Sequence, residues 1–307
     1  MEDPQYPFVS VIIPVFNDEE DLKLCLAALS RQTYGRSRYE IIVVDNGSDQ
    51  PEAVKAAIGS DDRVVLTREL TPGSYAARNQ GLALATGEII AFTDADCIPA
   101  PTWLEAGVQQ LTEVSNCGLV AGQIQMFVRN PDRPTMVELY ESVMALPQQM
   151  FLEKHHYGAT ANVFTTRQVI EQVGGFDADL KSSGDLEWGQ RVYAHGYQQV
   201  YAASALVQHP TQASFRDFYT RTRRLAGGHY DLRLKQARSA WQRQVVFLLT
   251  LGQNLIPPVF FAINTLLDTR LSGLGQKLKV SLMMVLVRYV SAWETLRLKL
   301  GGVSNRA

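Results

Sequence analysis

The segment that decides the fold reads Thr86-Gly-Glu-Ile-Ile-Ala-Phe-Thr-Asp-Ala-Asp96. Its apolar run from Ile89 to Phe92 predicts a buried strand, and Asp94 and Asp96 follow directly after that strand. Ligands bind beyond the carboxyl ends of strands in open α/β sheets, so these acids are predicted to border a substrate site. Two oxygen ligands at this spacing suit Mg²⁺ or Mn²⁺, and the alternative is a pair of solvated acids in a turn.

The chain before this segment repeats one plan, in which an apolar strand ends in polar residues and leads into a helix. Strands are predicted from Val9, over 39–45 and over 64–67, and helices over 19–31, over 51–58 and up to Ala85. This alternation predicts a Rossmann-like α/β fold, with a mostly parallel sheet flanked by helices. No Gly-x-Gly-x-x-Gly motif follows the first strand, which argues against a dinucleotide-binding domain.

The chain after Asp96 continues with helices and strands up to residue 214, where we place the end of the first domain. Helices are predicted over 101–114 and over 182–195, and the region 135–153 is predicted to be helical. Strands are predicted over 118–128 and over 199–203, and Leu206-Val-Gln-His-Pro210 follows the second.

Two positions near the predicted strand ends are candidates for nucleotide binding. Asp45 ends the second strand, where doubly wound folds place an acid that binds a ribose or a base; a helix cap is the alternative. Arg78 carries a permanent planar charge that suits a diphosphate, although Arg78 and Asn79 also fit an ordinary helix surface and cap.

A second acidic cluster lies at the start of the helix predicted from residue 182. Asp185 and Glu187 lie at a helix N-terminus, which stabilises the carboxylate form, and ordinary helix-start acids are the alternative reading. His209 follows a strand, and its imidazole is able either to complete a metal site or simply to bond a neighbour.

Composition excludes several classes of partner and chemistry. The 307 residues carry a net charge of −2, which gives no general attraction for nucleic acid. The cysteines Cys25, Cys97 and Cys117 show neither a CxxC pair nor zinc spacing, so we expect reduced, buried thiols in a cytoplasmic protein. The first residues lack a basic region followed by an apolar one, so no secretory signal is predicted.

Residues 215–307 differ in character from the rest and form the second predicted domain, a helical appendage. Arginines and aromatic residues alternate from Phe215, and residues 245–267 then carry no charge over 23 positions. That length suits a membrane span, but Gln253, Asn254 and the pair Pro257-Pro258 interrupt it. The alternatives are therefore a membrane-surface or re-entrant hairpin, a packed helical pair, and a true span.

Six stretches of this chain, taken together, resemble the family 2 glycosyltransferases, which have the GT-A fold. They fall between Phe8 and Pro210 and read Val11-Ile-Ile-Pro-Val-Phe-Asn17, Ile42-Val-Val-Asp-Asn-Gly-Ser-Asp49, Ala77-Arg-Asn-Gln-Gly81, Gly87-Glu-Ile-Ile-Ala-Phe-Thr-Asp-Ala-Asp96, Gly174-Gly-Phe-Asp177 and Gly184-Asp-Leu-Glu187. The resemblance implies an inverting enzyme that uses a nucleoside-diphosphate sugar and a divalent cation, Mg²⁺ or Mn²⁺.

The resemblance also implies roles for individual residues. Donor binding is expected at Pro14, Phe16, Asn17, Asp45, Gly73, Arg78, Asn79, Asp94, Ala95 and Asp96. The cation is expected at Asp94, Asp96 and His209, and the catalytic base is either Asp185 or Glu187. This chain has Gly184 where the family often has Glu, which leaves the choice of base open.

The expected partners are a nucleotide sugar and a glycan or lipid-linked acceptor, as in assembly of surface polysaccharide. We expect a cytoplasmic protein at the inner face of the plasma membrane, with membrane-surface contact through the C-terminal region. Two other functions stay open from the residues: a sugar nucleotidyltransferase, whose Gly-rich, Lys-containing phosphate loop is missing after the first strand, and a membrane-associated scaffold with a degenerate transferase domain.

Overall fold

A computed structural model of the protein describes residues 7–144 and 146–304. The residues on which the absence of a secretory signal was predicted lie outside these ranges. The chain divides into two compact units. The first contains the described residues up to Gln125, together with Leu146–Ala178 and Gly184–His209.

The first half of this unit has the predicted alternation of strands and helices. In chain order it consists of β1 (Val9–Val15), α1 (Glu19–Leu29), β2 (Tyr39–Asp45), α2 (Pro51–Ile58), β3 (Val64–Arg68), α3 (Ser74–Leu84) and β4 (Ile89–Thr93), with a short 3₁₀ turn at Arg36–Arg38. The apolar runs are buried as expected, since Ile12, Ile42 and Ile90 are almost wholly inaccessible to solvent.

The second half completes the sheet and adds helices. It consists of β5 (Ile98–Pro99), α4 (Trp103–Glu113), β6 (Cys117–Phe127), α6 (Gln148–His155), β7 (Asn162–Thr166), α7 (Arg167–Val173), α8 (Gly184–Ala194) and β8 (Gln198–Pro210). Helix α5 (Met136–Met144) lies between β6 and α6 in the sequence but belongs to the second unit. The region predicted to be helical over 135–153 contains two helices, α5 and α6, and Pro147 occupies the N-cap position of the second. The strand predicted over 199–203 is part of the longer strand β8, which continues to Pro210.

The eight strands form one sheet in the order β3-β2-β1-β4-β7-β6-β8-β5. The first four are parallel, in a register that sets Val15 beside Asp45 and Ile12 beside Phe92. Strand β7 runs antiparallel to both β4 and β6, and β5 is antiparallel to β8. The sheet is thus mixed, with β7 running against the direction shared by β1, β2, β3, β4 and β6, because an apolar run predicts burial without encoding strand direction. The α/β class itself is confirmed.

The second unit contains the described residues between Met126 and Ala145, Asp179–Ser183 and those from Pro210 onward. Its long helices are α9 (Phe215–Gln236), α10 (Ala240–Leu255), α11 (Val259–Leu267) and α12 (Gly273–Lys299). Its core is formed by α5, α9 and α12, with Tyr140, Phe218, Val280 and Met283 buried together. The unit therefore takes in more than the predicted appendage, which began at residue 215.

The apolar stretch of the C-terminal region is broken. Within the described residues no single helix has both the length and the hydropathy of a membrane span. The pair α10 and α11 meets these criteria only jointly, with a bend of 42° at the break between them. The interruption at Pro257-Pro258 thus produces the break that the sequence indicated.

Candidate active site

The polar residues of the predicted site follow neighbouring parallel strands. Asp45 ends β2, Asn17 lies just beyond β1, and Asp94 comes directly after β4. Because β2, β1 and β4 are adjacent and parallel, these three positions lie along one edge of the sheet. The structure therefore brings together residues that are up to 77 positions apart, as the strand pattern predicted.

Asp45 is a buried carboxylate held in a fixed orientation. Its side chain accepts a hydrogen bond from the backbone N–H of Ser48 at 2.8 Å, and Arg68 Nε lies 3.3 Å from its second oxygen. The next residue, Asn46, accepts from the backbone N–H of Gly73 at 2.7 Å. The loop after β2 is thereby joined to the start of α3, where Gly73 has a φ of +129° that only glycine adopts readily.

The loop after β1 presents both fixed and exposed side chains. Asn17 has a left-handed φ of +50°, and its amide exchanges two hydrogen bonds with Asp49, at 2.8 and 2.9 Å. Pro14 is half-buried within β1, whereas Phe16 is half exposed beside the loop. Among these residues, Phe16 offers a free aromatic face for a flat ring.

Arg78 and Asp94 form an ion pair that the sequence did not predict. Arg78 lies on α3, is buried, and donates from Nη2 to Asp94 Oδ1 at 2.5 Å. Its Nε is also buried and has no hydrogen-bond partner among the described residues. A buried, unpaired guanidinium N–H beside a pair of acids is suited to an anionic ligand such as a diphosphate.

Asp96 faces His209, whereas Asp94 bonds Arg78. The His209 Nε2 atom lies 3.6 Å from Asp96 Oδ2, and burial raises the pKa of the Asp96 carboxyl. Within the described residues, ligand atoms of Asp96, Cys97 and His209 lie within 4.8 Å of one another. Burial holds the pKa of the Cys97 thiol well above its usual range, so it is not a thiolate ligand.

A carboxylate and an imidazole this close fit a hard or borderline divalent cation, which fills its other positions with water and phosphate oxygens. The predicted trio of Asp94, Asp96 and His209 is thus divided, since Asp94 is bonded to Arg78. Ala95, between the two acids, is buried, and the backbone turns there through a hydrogen bond from Cys97 N to Asp94 O at 3.1 Å.

Asn79 bonds the turn that precedes α8. Its amide donates to the carbonyl of Phe176 at 2.8 Å and accepts from the Phe176 N–H at 2.9 Å. A Cβ on Gly175 would lie only 2.6 Å from Asn79 Oδ1, so this turn requires glycine. With both amide groups occupied, we assign Asn79 to the turn rather than to donor binding.

Asp185 lies in the first turn of α8 and bonds to a buried tyrosine. Tyr75 Oη donates to Asp185 Oδ1 at 3.2 Å, and the N–H of Leu186 donates to the same oxygen at 2.9 Å. Burial, and then the charge of Asp185, raise the pKa of Tyr75 far above its usual range, so the phenol keeps its proton. A Cβ at Gly184 would overlap the Tyr75 ring at 2.7 Å, which explains glycine at this position.

Glu187 has a different environment from Asp185. Both of its oxygens accept from Arg191, at 2.6 and 2.9 Å. Arg191 also donates to the carbonyls of Val173 and Gly175, so this ion pair fastens the end of α7 to α8. The pairing makes Glu187 a bonded structural acid and favours Asp185 as the base.

Sequence patterns offer little reason to select Tyr75. Tyrosine after Gly73-Ser74 looks like an ordinary helix-start residue, and only the close approach at Gly184 shows its role. Tyr75 and Arg78 connect Asp185 with Asp94. Tyr75 bonds Asp185, the Arg78 guanidinium lies 5.8 Å from the Tyr75 ring centroid, and Arg78 bonds Asp94. The two acidic clusters, about ninety residues apart in sequence, are therefore linked.

Comparisons with known proteins identify relatives of this chain. The sequence model described as Glycosyl transferase family 2 matches residues 10–174. Glycosyltransferase AglE of Haloferax volcanii is 37% identical over 209 residues, which cover 67% of this chain and 68% of that protein. The pre-mycofactocin glycosyltransferase of Mycobacterium tuberculosis is 30% identical over 223 residues, which cover 71% of this chain and 46% of that protein.

A shorter match and a solved structure extend the comparison. UDP-Glc:alpha-D-GlcNAc-diphosphoundecaprenol beta-1,3-glucosyltransferase WfgD of Escherichia coli is 31% identical over 123 residues, covering 40% of this chain and 47% of that protein. The chain thus spans about half the length of two of these three relatives. The mannosyltransferase PcManGT of Pyrobaculum calidifontis, solved with GDP-Man and Mn²⁺, has a TM-score of 0.62 at 20% identity, covering 96% of this chain and 89% of that one. At that identity the likeness concerns the fold.

Proposed function

The chain belongs to glycosyl transferase family 2 and has the GT-A fold, and from that premise we propose an inverting, cation-dependent transfer to a glycan or lipid-linked acceptor. The family transfers glycosyl groups from nucleotide sugars in glycan assembly, and this assignment does not favour a nucleotidyltransferase or a non-catalytic scaffold. The observation that carries the proposal is the orientation of Asp185 by Tyr75, in a site linked through Arg78 to Asp94.

Asp185 acts as the general base. It takes the proton of an acceptor hydroxyl while that oxygen attacks the anomeric carbon and the bond to the donor diphosphate breaks. Attack from the face opposite the leaving group inverts the anomeric centre. The O–H of Tyr75 and the N–H of Leu186 hold the Asp185 carboxylate in place for this transfer.

Donor binding falls to the loops after β1, β2 and β4. Asp45, fixed by Ser48, accepts from the nucleoside, and Phe16 offers a face for its ring. Arg78, whose Nε lacks a partner in the described chain, donates to the diphosphate.

Asp96 and His209 are the residues that would hold Mg²⁺ or Mn²⁺, and we propose that Asp94 joins them when a donor occupies Arg78. A cation at this position supplies Lewis-acid stabilisation of the charge that develops on the leaving diphosphate. PcManGT was solved in complex with GDP-Man and Mn²⁺, which supports this choice of cofactor.

We also propose that the protein works at the cytoplasmic face of the plasma membrane. Support comes from the apolar C-terminal helices and from the name of WfgD, which specifies an undecaprenol-linked acceptor for that relative. The donor sugar is left open by these observations.

The test is a thermal-shift screen of nucleotide sugars in the presence of Mn²⁺, because a ligand that binds the folded state raises the melting temperature. The donor selected in this way is then incubated with the protein and an acceptor. Release of nucleoside diphosphate with a new glycosidic bond supports the proposal. Release of pyrophosphate would instead indicate a nucleotidyltransferase, and no turnover with any donor would favour the scaffold.

A further inference from the structure

The last three helices of the second unit each leave an apolar stripe exposed. On α12 the exposed positions Leu274, Leu278, Leu282, Tyr289 and Trp293 follow a spacing close to four residues. Residues on the opposite side of that helix, such as Val280 and Met283, are wholly buried. One apolar stripe of this helix therefore packs into the core of the second unit, and a second apolar stripe faces solvent.

Helices α10 and α11 also expose large apolar side chains. Phe260 retains 85% of its accessible surface, and Trp241 and Leu267 retain 74% each. Isolated apolar side chains are common on protein surfaces, but so many on consecutive helices mark an interaction site.

Charge complements these stripes. Residues 232–307 contain eleven Arg and Lys but only two acids, whereas the whole chain has a net charge of −2. Both acids are already paired, Asp268 with Arg270 at 2.6 Å and Glu294 with Arg223 and Arg297 at 2.9 and 2.5 Å. The C-terminal segment is thus a local cationic region on an acidic protein, and it suits an anionic partner.

A basic cleft lies where α9 passes into α10. Its volume is about 410 Å³, and Arg233, Arg238 and Trp241 line it. Arg233 is oriented by a hydrogen bond to Thr250 Oγ1 at 3.1 Å. In the part of the chain that the structure describes, no carboxylate pairs with Arg238 or with the nearby Arg243. An exposed indole beside guanidinium groups, at the start of an apolar helix, is typical of lipid headgroup depth.

The break between α10 and α11 argues against a transmembrane path. Helix α10 has 16 residues and α11 has 9, and a membrane-spanning helix needs about 20. The guanidinium of Arg288, on α12, bonds the carbonyl of Gln253 and lies 3.5 Å from that of Ile256, carbonyls that the break leaves unpaired. A spanning path would carry this charge deep into hydrocarbon, where it is costly, whereas an interfacial path keeps it near headgroups.

We propose that the apolar stripes of α10, α11 and α12, with the basic cleft of Arg233, Arg238 and Trp241, dock onto a bilayer rich in anionic phospholipids. The helices lie in the plane of the interface, and the cleft binds headgroup phosphate. This deepens the membrane location proposed above by naming the lipid chemistry and the residues. Binding requires no donor or acceptor, so its test is independent of glycosyl transfer.

The experiment is flotation of the full-length protein with vesicles of phosphatidylcholine, alone or mixed with phosphatidylglycerol. We expect the native protein to float with the anionic vesicles. The Arg238→Glu/Arg243→Glu variant should bind at least about thirtyfold more weakly, because each of the two lost cations contributes about 1 kcal/mol at such a surface. The Arg31→Glu/Lys55→Glu variant is the matched control: it carries the same charge change on exposed cations of the first unit, and should float like the native protein.

The depth of the helices in the bilayer is measured by tryptophan fluorescence, because Trp241 on α10 and Trp293 on α12 are exposed whereas Trp103 and Trp188 are buried. We expect a blue shift with anionic vesicles, and stronger quenching by lipids brominated near the headgroup than by lipids brominated near the chain end. A Phe260→Ser/Leu267→Ser variant should lose both the shift and flotation.

Four results would overturn the proposal. The first two are equal flotation with neutral and anionic vesicles, and no flotation with either. The third is a loss of flotation in the control variant as large as that in the Arg238→Glu/Arg243→Glu variant. The fourth is stronger quenching of tryptophan fluorescence by lipids brominated near the chain end than by lipids brominated near the headgroup. A fifth is a native dimer in sedimentation velocity that Phe260→Ser/Leu267→Ser converts to monomer, because the stripes would then bind a second copy. Nucleoside diphosphate release from a soluble acceptor, measured on the same variants, reports separately on the proposed transferase activity.

Discussion

Tyr75 donates its phenolic hydrogen to Asp185 at 3.2 Å, and the close approach of its ring requires glycine at position 184. Because burial keeps the phenol protonated, Tyr75 can only donate to the carboxylate. Asp185 Oδ1 also accepts from the N–H of Leu186, so its orientation is set from two directions. A carboxylate fixed in this way is prepared to accept a proton from a substrate hydroxyl.

Asp185→Asn should lower kcat by about 10²–10⁴, because an amide cannot accept the acceptor's proton. Donor binding should survive, since Asp185 is not among the residues we assign to the nucleotide. The measurement is nucleoside diphosphate release together with calorimetry of the donor.

Glu187→Gln provides the matched control for that substitution. It makes the same chemical change two residues away, weakens the pair with Arg191 and should lower stability while leaving kcat near the native value. If this variant lost turnover and Asp185→Asn kept it, the assignment of the base would be reversed.

Tyr75→Phe should reduce kcat by about three- to tenfold, in line with loss of one hydrogen bond of about 0.5–1.5 kcal/mol, and should leave the donor KM unchanged. Loss of a donor to the Asp185 carboxylate raises the pKa of that acid. The acidic limb of the kcat profile should therefore move to higher pH, which a merely structural effect would not produce. An unshifted profile would remove Tyr75 from the positioning of the base.

Removal of divalent cations with EDTA should abolish transfer, and Mn²⁺ or Mg²⁺ should restore it. His209→Ala should raise the cation concentration needed for half-maximal rate by about tenfold or more, because it removes one side of the paired ligand set with Asp96. His195→Ala is the control, since that imidazole is exposed and bonds the backbone of its own helix. Full activity in EDTA would exclude the cation.

The strand ends were predictable because they depend on residues that are adjacent in the sequence. An apolar run predicts burial, and polar residues after it predict an exposed end, so Asp45 and Asp94 were located from the sequence alone. The buried thiols were predicted for a similar reason, and Cys25, Cys97 and Cys117 are all buried free cysteines.

Partners within the site were not predictable in the same way. Asp94 and Asp96 are two residues apart, yet one bonds Arg78 and the other faces His209, because helix α3 and strand β8 approach from different sides. The direction of β7 and the choice of Tyr75 likewise depend on contacts between residues distant in sequence. Periodicity contains no information about such contacts.

Gly228→Ala should destabilise the second unit by about 1–3 kcal/mol. A Cβ there would lie 2.4 Å from Ser182 Cβ and 3.0 Å from two backbone atoms of the same residue, so no side-chain rotation relieves the overlap. Gly252→Ala on α10 is the control, since a Cβ there meets nothing within 4 Å. Helix propensity alone should stabilise that variant by up to about 1 kcal/mol. Thermal unfolding should show a lower melting temperature for Gly228→Ala and a higher one for Gly252→Ala than for the native protein.

Glu294→Gln should destabilise the protein at neutral pH and have little effect in acid. Burial by itself raises the pKa of Glu294, but hydrogen bonds from Arg297 and Arg223 outweigh burial and lower the pKa below its ordinary value of 4.5. A depressed pKa in the folded state means that the stabilisation is complete above about pH 4.5 and is lost as pH falls through the lower folded value. The difference in melting temperature between native and variant proteins should therefore be largest near pH 7 and shrink below pH 4.5. A difference that stays constant down to the most acidic point would show that packing of this wholly buried side chain, rather than its charge, accounts for the effect.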